Sequence, residues 1–174
     1  SLLIAAKSLV QRGSLVIGNV CLESWAVPAL EFIRRMGCKP GIQETRVSAF
    51  GSCGMVQLQS FELANRKTSC RPISHFADHI PALAVIAAGA TGQSVFRDLE
   101  DMRNDVPDGL SRVITCLDAI GIRHGDMPDG LVIDGGRDLD GFDLPDGFAA
   151  PLSGACAIAG LRCMGATSLA DEAI

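Results

Sequence analysis

Residues Ala82–Glu100 read ALAVIAAGATGQSVFRDLE: an alanine-rich apolar segment, a glycine, and then a segment rich in strand-forming residues. The same pattern occurs earlier, over Leu2–Val20 (LLIAAKSLVQRGSLVIGNV), and later, over Gly154–Glu172 (GACAIAGLRCMGATSLADE). The glycines at the three junctions between the helix and strand patterns are Gly13, Gly92 and Gly165. Because the distance between these glycines is long enough for a whole α/β unit, the pattern predicts an α/β protein built from repeated units.

The first repeat continues with a predicted strand over Ser14–Val20 and an amphipathic helix over Val27–Gly37. The helix is predicted from apolar residues at helical spacing, a proline that suits its first turn and a glycine just past its end. Two strands are predicted next, over Ile42–Phe50 and Met55–Leu63, with a turn at Gly51–Gly54 between them.

The second repeat predicts the same order of elements. It begins with a helix over about 81–90 and a strand over 94–99, followed by a helix over about 107–120. A hairpin is predicted around the turn at 129–130. The acidic, glycine-rich stretch 134–147 lacks the carboxylate spacing of a calcium loop, so it is predicted to be a solvated connection between units.

The third repeat is incomplete, with a predicted helix over 152–161 and a strand over 168–171. The fold class is therefore α/β (α+β), with repeated β–α–β–α–β–β units whose apolar helices lie inside and whose sheets lie outside. The units are placed at about 1–72, 73–147 and, in part, 148–174, within a single lobe. Because helix and strand patterns run to the two ends, we expect both ends to be cut from a longer protein.

The composition excludes several classes of function. The chain has 174 residues, 48% hydrophobic and 20% charged, which is typical of a globular domain. Its formal net charge is −5 and no run of Lys or Arg occurs, so nucleic acid is not expected as a partner. The longest apolar stretch, Ile80–Ala90, is too short to cross a bilayer, and the N-terminal segment lacks the basic leader of a signal peptide. No membrane partner is expected.

Seven cysteines are spread along the chain, and an odd number leaves at least one of them unpaired. No CxxC pair occurs, so the cysteines predict no zinc site. Most lie within apolar patterns, where cysteine behaves as a small hydrophobic residue. This usage favours a reducing compartment, and we expect the protein to be cytoplasmic.

The stretch Ala77–Arg103 (ADHIPALAVIAAGATGQSVFRDLEDMR) resembles a block that is typical of the enolpyruvyl transferase family. Further matching segments are Gly13–Val20, the helix end at Arg34–Cys38, Pro128–Gly136 and Ile158–Ile174. The resemblance covers essentially the whole chain. It is stronger to the members that act on shikimate 3-phosphate than to those that act on UDP-N-acetylglucosamine, which share the fold but match the first block less well.

The resemblance implies that this chain is the C-terminal lobe of a two-lobe protein, with an N-terminal lobe as its missing partner. It also implies a reaction in which a carboxyvinyl group passes from phosphoenolpyruvate to a hydroxyl of shikimate 3-phosphate and phosphate is released. No cofactor and no metal are implied. Two anionic substrates need several Lys and Arg side chains, together with a base for the hydroxyl proton and an acid for the enol carbon.

Three candidate site residues follow from the resemblance. Asp78 aligns with the family's aspartate that contacts the substrate hydroxyl, so it is a candidate catalytic base. It also precedes a predicted helix, and an ordinary N-cap carboxylate is the alternative interpretation. Arg103 and Asp108 match the RVKESDR motif, which binds phosphoenolpyruvate in the family, and are candidate substrate-binding residues.

Other motif positions have lost positive charge. In the RVKESDR motif the lysine position is Asp105, the glutamate position is Val106 and the final arginine position is Gly109. A second motif, DHR, aligns with Ala149–Pro151, and the arginine of a third, NPTRTG, aligns with Ala26. Aspartate in place of lysine repels an anion at contact range. We therefore predict that the chain does not bind phosphoenolpyruvate in the family's way.

Two functional hypotheses remain. In the first, the chain is part of a shikimate-pathway transferase and is inactive alone. In the second, it has kept the fold and serves as a non-catalytic binding or assembly module. In either case a missing lobe would leave apolar surface exposed, which predicts self-association. The nearby His75, Asp78 and His79 are better explained by cap or surface roles than by a metal site.

Overall fold

Helices form where the sequence is rich in alanine and leucine. The computed structural model describes residues 2–10, 12–23, 28–49, 51–64, 67–69, 79–104, 109–144 and 152–169. Its helices are α1 (Leu2–Leu9), α2 (Pro28–Arg35), α3 (Ile80–Gly89), α4 (Glu100–Asn104), α5 (Gly109–Ile120) and α6 (Leu152–Gly160). The predicted helices over 81–90 and 152–161 are confirmed to within a residue at each end, and the short helix α4 was not predicted.

The strands form two larger sheets and two short pairs. In chain order they are β1 (Leu15–Cys21), β2 (Gly41–Ser48), β3 (Gly51–Leu58), β4 (Lys67–Ser69), β5 (Gly92–Arg97), β6 (His124–Met127), β7 (Gly130–Gly135), β8 (Leu139–Asp140), β9 (Asp143–Leu144), β10 (Cys163–Met164) and β11 (Ser168–Leu169). The first sheet has the order β1-β3-β2 and is antiparallel, while the second has the order β4-β5-β7-β6. β4 runs parallel to β5, β8 to β10, and β9 to β11.

The helices are the inner layer, as the sequence predicts. α1, α3 and α6, one from each repeat, pack against one another. α3 is buried on every side: all of its residues from Ile80 to Ala88 are buried. An apolar helix of this kind is stable only when other elements surround it. By contrast, Gly41–Val47 of strand β2 is exposed along its length, so the sheets form the outer layer.

The repeats match in backbone detail. The junction glycines Gly13, Gly92 and Gly165 all have positive φ angles, of 74°, 87° and 105°, which a side chain would disfavour. Gly37 and Gly121, which follow α2 and α5, also have positive φ angles. After each of them, a main-chain N–H bonds back to a carbonyl five residues earlier, as in a Schellman motif. The helix–glycine–strand pattern that repeats in the sequence therefore also repeats in the backbone structure. The boundaries near 72 and 147 stay a prediction, since they lie outside the described residues.

The turn predicted at Gly51–Gly54 is wrong, because these residues form the first half of β3. Gly54 pairs with Val20 of β1 on one side and with Glu44 of β2 on the other. A Cβ at Gly54 would meet the backbone of Gln43 and a methyl of Leu22. The glycine at this position therefore permits close strand packing and does not mark a turn.

The stretch 134–144, the described part of the predicted solvated connection, is also different from the prediction. It contains β8 and β9, which add to the strands of the third repeat. Leu139, Phe142 and Leu144 are buried, while Asp140 and Asp143 are exposed. The high content of aspartate suggested a solvated loop. The apolar residues between the aspartates nevertheless face the core.

A disulfide joins Cys116 of α5 to Cys156 of α6, which lie 40 residues apart in the sequence. Both side chains are buried. The sequence does not predict this pairing, because both cysteines lie within apolar helical patterns. Among the described cysteines, the free ones are Cys21, Cys38, Cys53 and Cys163.

Candidate functional site

Three helices, one from each repeat, run in the same direction. Near their C-terminal ends, a Cβ at Gly89 of α3 would meet Leu9 of α1, and Arg162, just after α6, donates a hydrogen bond to the Gly89 carbonyl over 2.8 Å. Near their N-terminal ends, a Cβ at Gly154 of α6 would lie 3.0 Å from a methyl of Leu2 in α1. α1, α3 and α6 therefore begin at one end of the molecule and finish at the other.

The two remaining long helices finish at the same end of the molecule. Just after α2, the carbonyl of Met36 accepts a hydrogen bond from Ala64 over 2.9 Å. The neighbouring carbonyl of Leu63 accepts one from Thr91, just after α3, so α2 and α3 end side by side. Ile122, just after α5, lines a small cavity together with residues from the C-terminal ends of α1, α3 and α6.

Together with Leu2 of α1, the first residues of four further helices consequently lie on one side of the molecule, which we call the helix N-terminal face. These residues are Pro28, Ile80, Gly109 and Leu152. The first turn of a helix carries N–H groups without an intrahelical partner and the positive end of the helix dipole. A face at which five helices begin is electrostatically suited to anions.

The segments that lead into this face are 24–27, 70–78, 105–108 and 145–151, and all four lie outside the described residues. Asp78 and Asp108 belong to two of these segments, so their predicted roles in catalysis and substrate binding stay predictions. The residue in the N-cap position of α3 is His79. The described residues that follow these segments, at the starts of α2, α3, α5 and α6, lie at one face although they are far apart in the sequence.

Arg103 is the one predicted site residue whose geometry is described, and its guanidinium holds two elements together. It lies on α4, and its Nη1 and Nη2 donate to the two carboxylate oxygens of Asp126 in β6. Nη2 also donates to the carbonyl of Met127 over 2.9 Å. The Arg103 side chain is 31% exposed and that of Asp126 is 52% exposed. Arg103 therefore anchors the segment before residue 105 to the β6–β7 hairpin, and its charge is balanced at short range.

A second arginine–aspartate pair lies beside the first. Nη1 of Arg97, the last residue of β5, lies 3.7 Å from Oδ2 of Asp129 in the β6–β7 turn. The Leu99 N–H also donates to the main-chain carbonyl of Asp129 over 3.0 Å. Since β5 runs back from the C-terminal end of α3, this pair lies toward the helix N-terminal face. Both arginines are paired with carboxylates, which lowers their attraction for an anion.

The small cavity at the opposite end is a poorer candidate for an anion site. Arg137 and Arg162 line it together with apolar side chains. Arg162 is bonded to the Gly89 carbonyl, and Arg137 lies 3.4 Å from a carboxylate oxygen of Asp134. Helix C-terminal ends carry exposed carbonyls and the negative end of the dipole. This end of the molecule therefore disfavours a bound anion.

Two buried polar groups lie near the ends of α1 and α2. Lys7 is 7% exposed, and its ammonium donates to the Val10 carbonyl over 2.9 Å, which caps the end of α1. Burial raises the pKa of the Cys38 thiol to about 11, against smaller opposing effects of the Lys7 and Arg34 charges. A thiol with such a pKa is neutral near pH 7 and a poor nucleophile. Lys7 therefore stabilises the end of α1, and the Cys38 thiol is poorly suited to act as a nucleophile.

Within the described residues, no group of His, Cys, Asp or Glu side chains could hold a metal ion. Two of the three residues in the His75, Asp78 and His79 cluster lie outside them. None of the described helices is long and apolar enough to span a membrane.

The chain is similar to known proteins over nearly its full length. A 3-phosphoshikimate 1-carboxyvinyltransferase of Chloroflexus aggregans is 33% identical over 97% of this chain. Another protein of the same name, from Roseiflexus sp., is 31% identical over 94% of it. The chain is homologous to part of the 3-phosphoshikimate 1-carboxyvinyltransferases, which are enolpyruvyl transferases. It spans 39% of the length of the first relative and 38% of the second. No protein-family model matches it.

Solved structures show the same fold. EPSP synthase from Acinetobacter baumannii superposes with a TM-score of 0.82 at 19% identity, over 95% of this chain and 41% of that one. The enolpyruvyl transferase NikO from Streptomyces tendae gives a TM-score of 0.64 at 19% identity, over 97% of this chain and 37% of that one. The lobe architecture implied by the sequence resemblance is therefore confirmed.

Asp126 is the residue at this site that the sequence analysis missed. It lies in the segment GDMPDG, which the sequence marks only as a hairpin. The pairing with Arg103 is formed across 23 residues, and a long-range contact of this kind has no local signature in the sequence. The periodicity of α4 gives no signal either, because the helix has only five residues.

Proposed function

We propose that this chain forms part of an enolpyruvyl transferase that moves a carboxyvinyl group from phosphoenolpyruvate to shikimate 3-phosphate, and that it is inactive alone. The names of the related proteins, 3-phosphoshikimate 1-carboxyvinyltransferases, support the reaction. The chain spans less than half of their length, so the reaction, the substrates and the second lobe remain parts of the proposal.

The observation that carries the proposal is the helix N-terminal face. Five helices begin there, and the segments that lead into four of them contain the positions that match the family's substrate-binding motifs. A second lobe closing over this face would exclude water and strengthen the interaction of the helix ends with both anions. Neither lobe could provide such a site by itself.

Within this proposal, Asp78 accepts the proton of the attacking hydroxyl. Asp108 lies in the segment before α5 and contributes to substrate binding. Arg103 anchors α4, which precedes that segment in the sequence, and it can contact substrate directly only by giving up, or by sharing, its bonds to Asp126 and Met127. The structure thus favours an orienting contribution from Arg103.

The proposed inactivity has two causes. The missing lobe removes half of the cleft. In addition, Asp105 and Gly109 stand where the family has a lysine and an arginine for phosphoenolpyruvate. The helix ends provide partial charges only, which do not replace two full positive charges that form hydrogen bonds with the anion.

Calorimetric titration with phosphoenolpyruvate tests this explanation. We expect no saturable binding to the chain in the millimolar range. The triple variant Asp105→Lys, Val106→Glu, Gly109→Arg should bind it at least about tenfold more tightly, because charge-assisted hydrogen bonds are restored at the helix N-terminal face. Asp138→Lys is the control, since it changes one exposed acidic residue by the same charge near the opposite end.

Three results would count against the proposal. If the triple variant binds no better than the control, the face is not the anion site. If the control gains as much as the triple variant, net charge alone explains the effect. Phosphate release by the unmodified chain from both substrates would contradict the proposed inactivity.

A non-catalytic binding or assembly module is the second candidate. The loss of motif charges at Asp105, Gly109 and Ala149–Pro151 favours it, because a module has no need for them. Reading the coding sequence on both sides of this segment discriminates the two. An adjoining lobe with the missing basic residues supports the enzyme, whereas its absence supports the module.

The cytoplasm is the proposed location for either function, on the basis of the scattered cysteines. The Cys116–Cys156 disulfide opposes this placement, because most cytoplasmic proteins keep their thiols reduced. Fractionation of cells that express the tagged full protein tests the location directly.

A further inference from the structure

Two cysteines lie directly opposite each other in the first sheet. Cys21 is the last residue of β1, and it pairs with Cys53 of β3 in the antiparallel register. At the next position along the two strands, the Leu22 N–H donates a hydrogen bond to the Ser52 carbonyl over 2.9 Å. Because hydrogen-bonded and non-hydrogen-bonded pairs alternate along an antiparallel ladder, Cys21 and Cys53 form a non-hydrogen-bonded pair.

The backbone geometry of such a pair suits a disulfide. Opposite residues in a non-hydrogen-bonded pair have Cα atoms about 4.5 Å apart, and their side chains are close together on the same face of the sheet. Disulfides join cysteines whose Cα atoms are roughly 4.4–6.8 Å apart. Both thiols are free. A bond between them therefore requires little change in the spacing of β1 and β3.

Both side chains lie on the outer face of the sheet. Along β3, Gly54 and Val56 are buried, whereas Met55 between them is exposed. Cys53 belongs to the same alternating set as Met55, and Cys21 shares its face as its register partner. Both cysteines are partly exposed, and neither is among the apolar residues that pack against the core. A small reagent in solution therefore reaches both thiols.

The other free cysteines of the described residues are less suited to oxidation. Cys38 is 3% exposed, and burial raises the pKa of its thiol to about 11. Cys163 packs against the core and its thiol donates to the Ala159 carbonyl over 3.5 Å, and burial raises its pKa as well. Neither lies opposite a cysteine in a described strand pair. Accessibility and register thus coincide at the pair in the first sheet.

We propose that Cys21 and Cys53 form a redox-active dithiol, which glutathione disulfide or another small-molecule disulfide oxidises reversibly to a cross-strand disulfide. The bond fixes the end of β1 to β3, shortly before the segment that precedes α2 in the sequence. In a reducing compartment the pair stays in the dithiol form until the glutathione pool becomes oxidised. The proposal is independent of the proposed transferase activity, because it rests on strand register and exposure.

The oxidation proceeds in two thiol–disulfide exchange steps. The thiolate of one cysteine attacks glutathione disulfide, which forms a mixed disulfide and releases one glutathione thiolate. The thiolate of the other cysteine then attacks the protein sulfur of the mixed disulfide, which forms the cross-strand bond and releases the second glutathione. Two cysteine thiols are oxidised and one glutathione disulfide is reduced, and the two protons lost by the cysteines are taken up by the two glutathione thiolates.

Peptide mapping locates the bond. Trypsin, which cleaves after arginine, places Cys21 in the peptide 13–34 and Cys53 in the peptide 47–66, and neither peptide holds another cysteine. The protein is incubated with glutathione disulfide, its remaining thiols are blocked with N-ethylmaleimide, and it is digested without reduction. We expect the two peptides to be joined, at least about tenfold more abundantly than any other new pair, because the second exchange step is intramolecular. Excess reduced glutathione should restore both thiols.

Matched variants separate the pair from the other cysteines. Cys21→Ser and Cys53→Ser each remove one partner, so the remaining cysteine should accumulate as a mixed disulfide with glutathione. Cys163→Ser is the control, since it removes a partly exposed free thiol outside the pair and should leave the yield of the joined peptides unchanged. In urea the joined peptides should fall by about tenfold or more, because the strand register is lost. Circular dichroism of the variants checks that the fold is kept.

Three outcomes overturn the proposal: no joined peptides with excess glutathione disulfide, a mixed disulfide at one cysteine of the pair that persists beside a free thiol at the other, or joined peptides in equal yield in urea. The first two results would show that the two sulfur atoms do not meet in the native sheet. The third would show that the native register does not bring them together.

Discussion

Gly130 shows how a single residue controls the approach of two strands. It pairs with Arg97 between β7 and β5, and a Cβ there would meet the Phe96 carbonyl oxygen and lie 3.2 Å from the Arg97 Cα. These are backbone atoms of a buried strand, so they cannot move aside without separating the sheet. Gly125, in the same hairpin, has only ordinary contact, 3.8 Å from the Val132 Cβ.

We therefore expect Gly130→Ala to lower the free energy of unfolding by about 2 kcal/mol or more. Gly125→Ala should change it by no more than about 0.5 kcal/mol, because the site has room and a glycine loses more entropy on folding. Urea unfolding of the two variants measures the difference. Equal stability of the two would mean that the strands separate freely at Gly130.

The buried thiol of Cys38 gives a prediction for the alkaline range. Burial raises its pKa to about 11 in the folded protein, from an ordinary value of 9.0. Between pH 9 and 11 the unfolded chain loses the proton while the folded protein keeps it. Folding stability is therefore unaffected below pH 9 and falls above it, by up to about 2–3 kcal/mol at pH 11.

Urea unfolding at several pH values checks this effect against the variant Cys38→Ala. The alanine variant is less stable at pH 8 because it leaves a gap, but its stability should fall less steeply between pH 9 and 11. Parallel slopes for the two proteins would show that the thiol titrates normally.

Single residues also show which features of the structure could be predicted from the sequence. The glycines that end α2 and α5 were predicted, because a glycine just after an apolar helix commonly terminates that helix with a positive φ angle. Gly54 was misread as part of a turn, because glycine also permits close strand packing, and only the contact with Gln43 distinguishes the two uses. The pairing of Arg103 with Asp126 was not predictable, since it depends on the positions of two elements.

Among the elements, the long apolar helices were the most predictable, since periodicity and capping residues agree over many positions. Short strands carry too few residues for a pattern. β8 and β9 have two residues each and are stabilised by pairing with strands that follow α6. Their backbone partners, and not their own propensities, determine that they are strands.

The α5–α6 disulfide gives an element-scale prediction. A bond between Cys116 and Cys156 closes a loop of 40 residues, which by chain entropy stabilises the fold by about 3–4 kcal/mol. The variant Cys116→Ala, Cys156→Ala should lose about this amount and become insensitive to reductant. Cys21→Ser, at a free cysteine, is the control and should keep the response to reductant.

Urea unfolding with and without reductant measures these differences, and mass spectrometry of the protein alkylated in urea without reductant counts its thiols. Seven alkylated cysteines in this unreduced protein would contradict the bond. That result would support the sequence interpretation, in which buried cysteines act as small hydrophobic residues in a reducing compartment.

At the scale of the whole molecule, the repeat explains which part of the helical core is covered by sheets and where apolar side chains are exposed. The three parallel helices α1, α3 and α6 give a common core, and the sheets of the first two repeats cover part of it. In the described part of the third repeat, the strands after α6 have two residues each. Three of the large exposed apolar side chains lie within nine residues of sequence in this repeat. Their exposed fractions are 64% for Leu161, 71% for Met164 and 38% for Leu169.

Exposed apolar side chains that are close in the sequence and in one repeat predict an association surface. We expect the chain to self-associate in sedimentation equilibrium, with an average mass that rises with concentration. Leu161→Lys combined with Met164→Lys should keep it monomeric at concentrations at which the unmodified chain is mostly associated, because two charges in the contact oppose burial. Ile42→Lys combined with Val47→Lys, a change of equal charge at two exposed residues of strand β2, should leave the association unchanged. A monomeric unmodified chain at high concentration would contradict the prediction, and association that survives the double change would place the contact elsewhere.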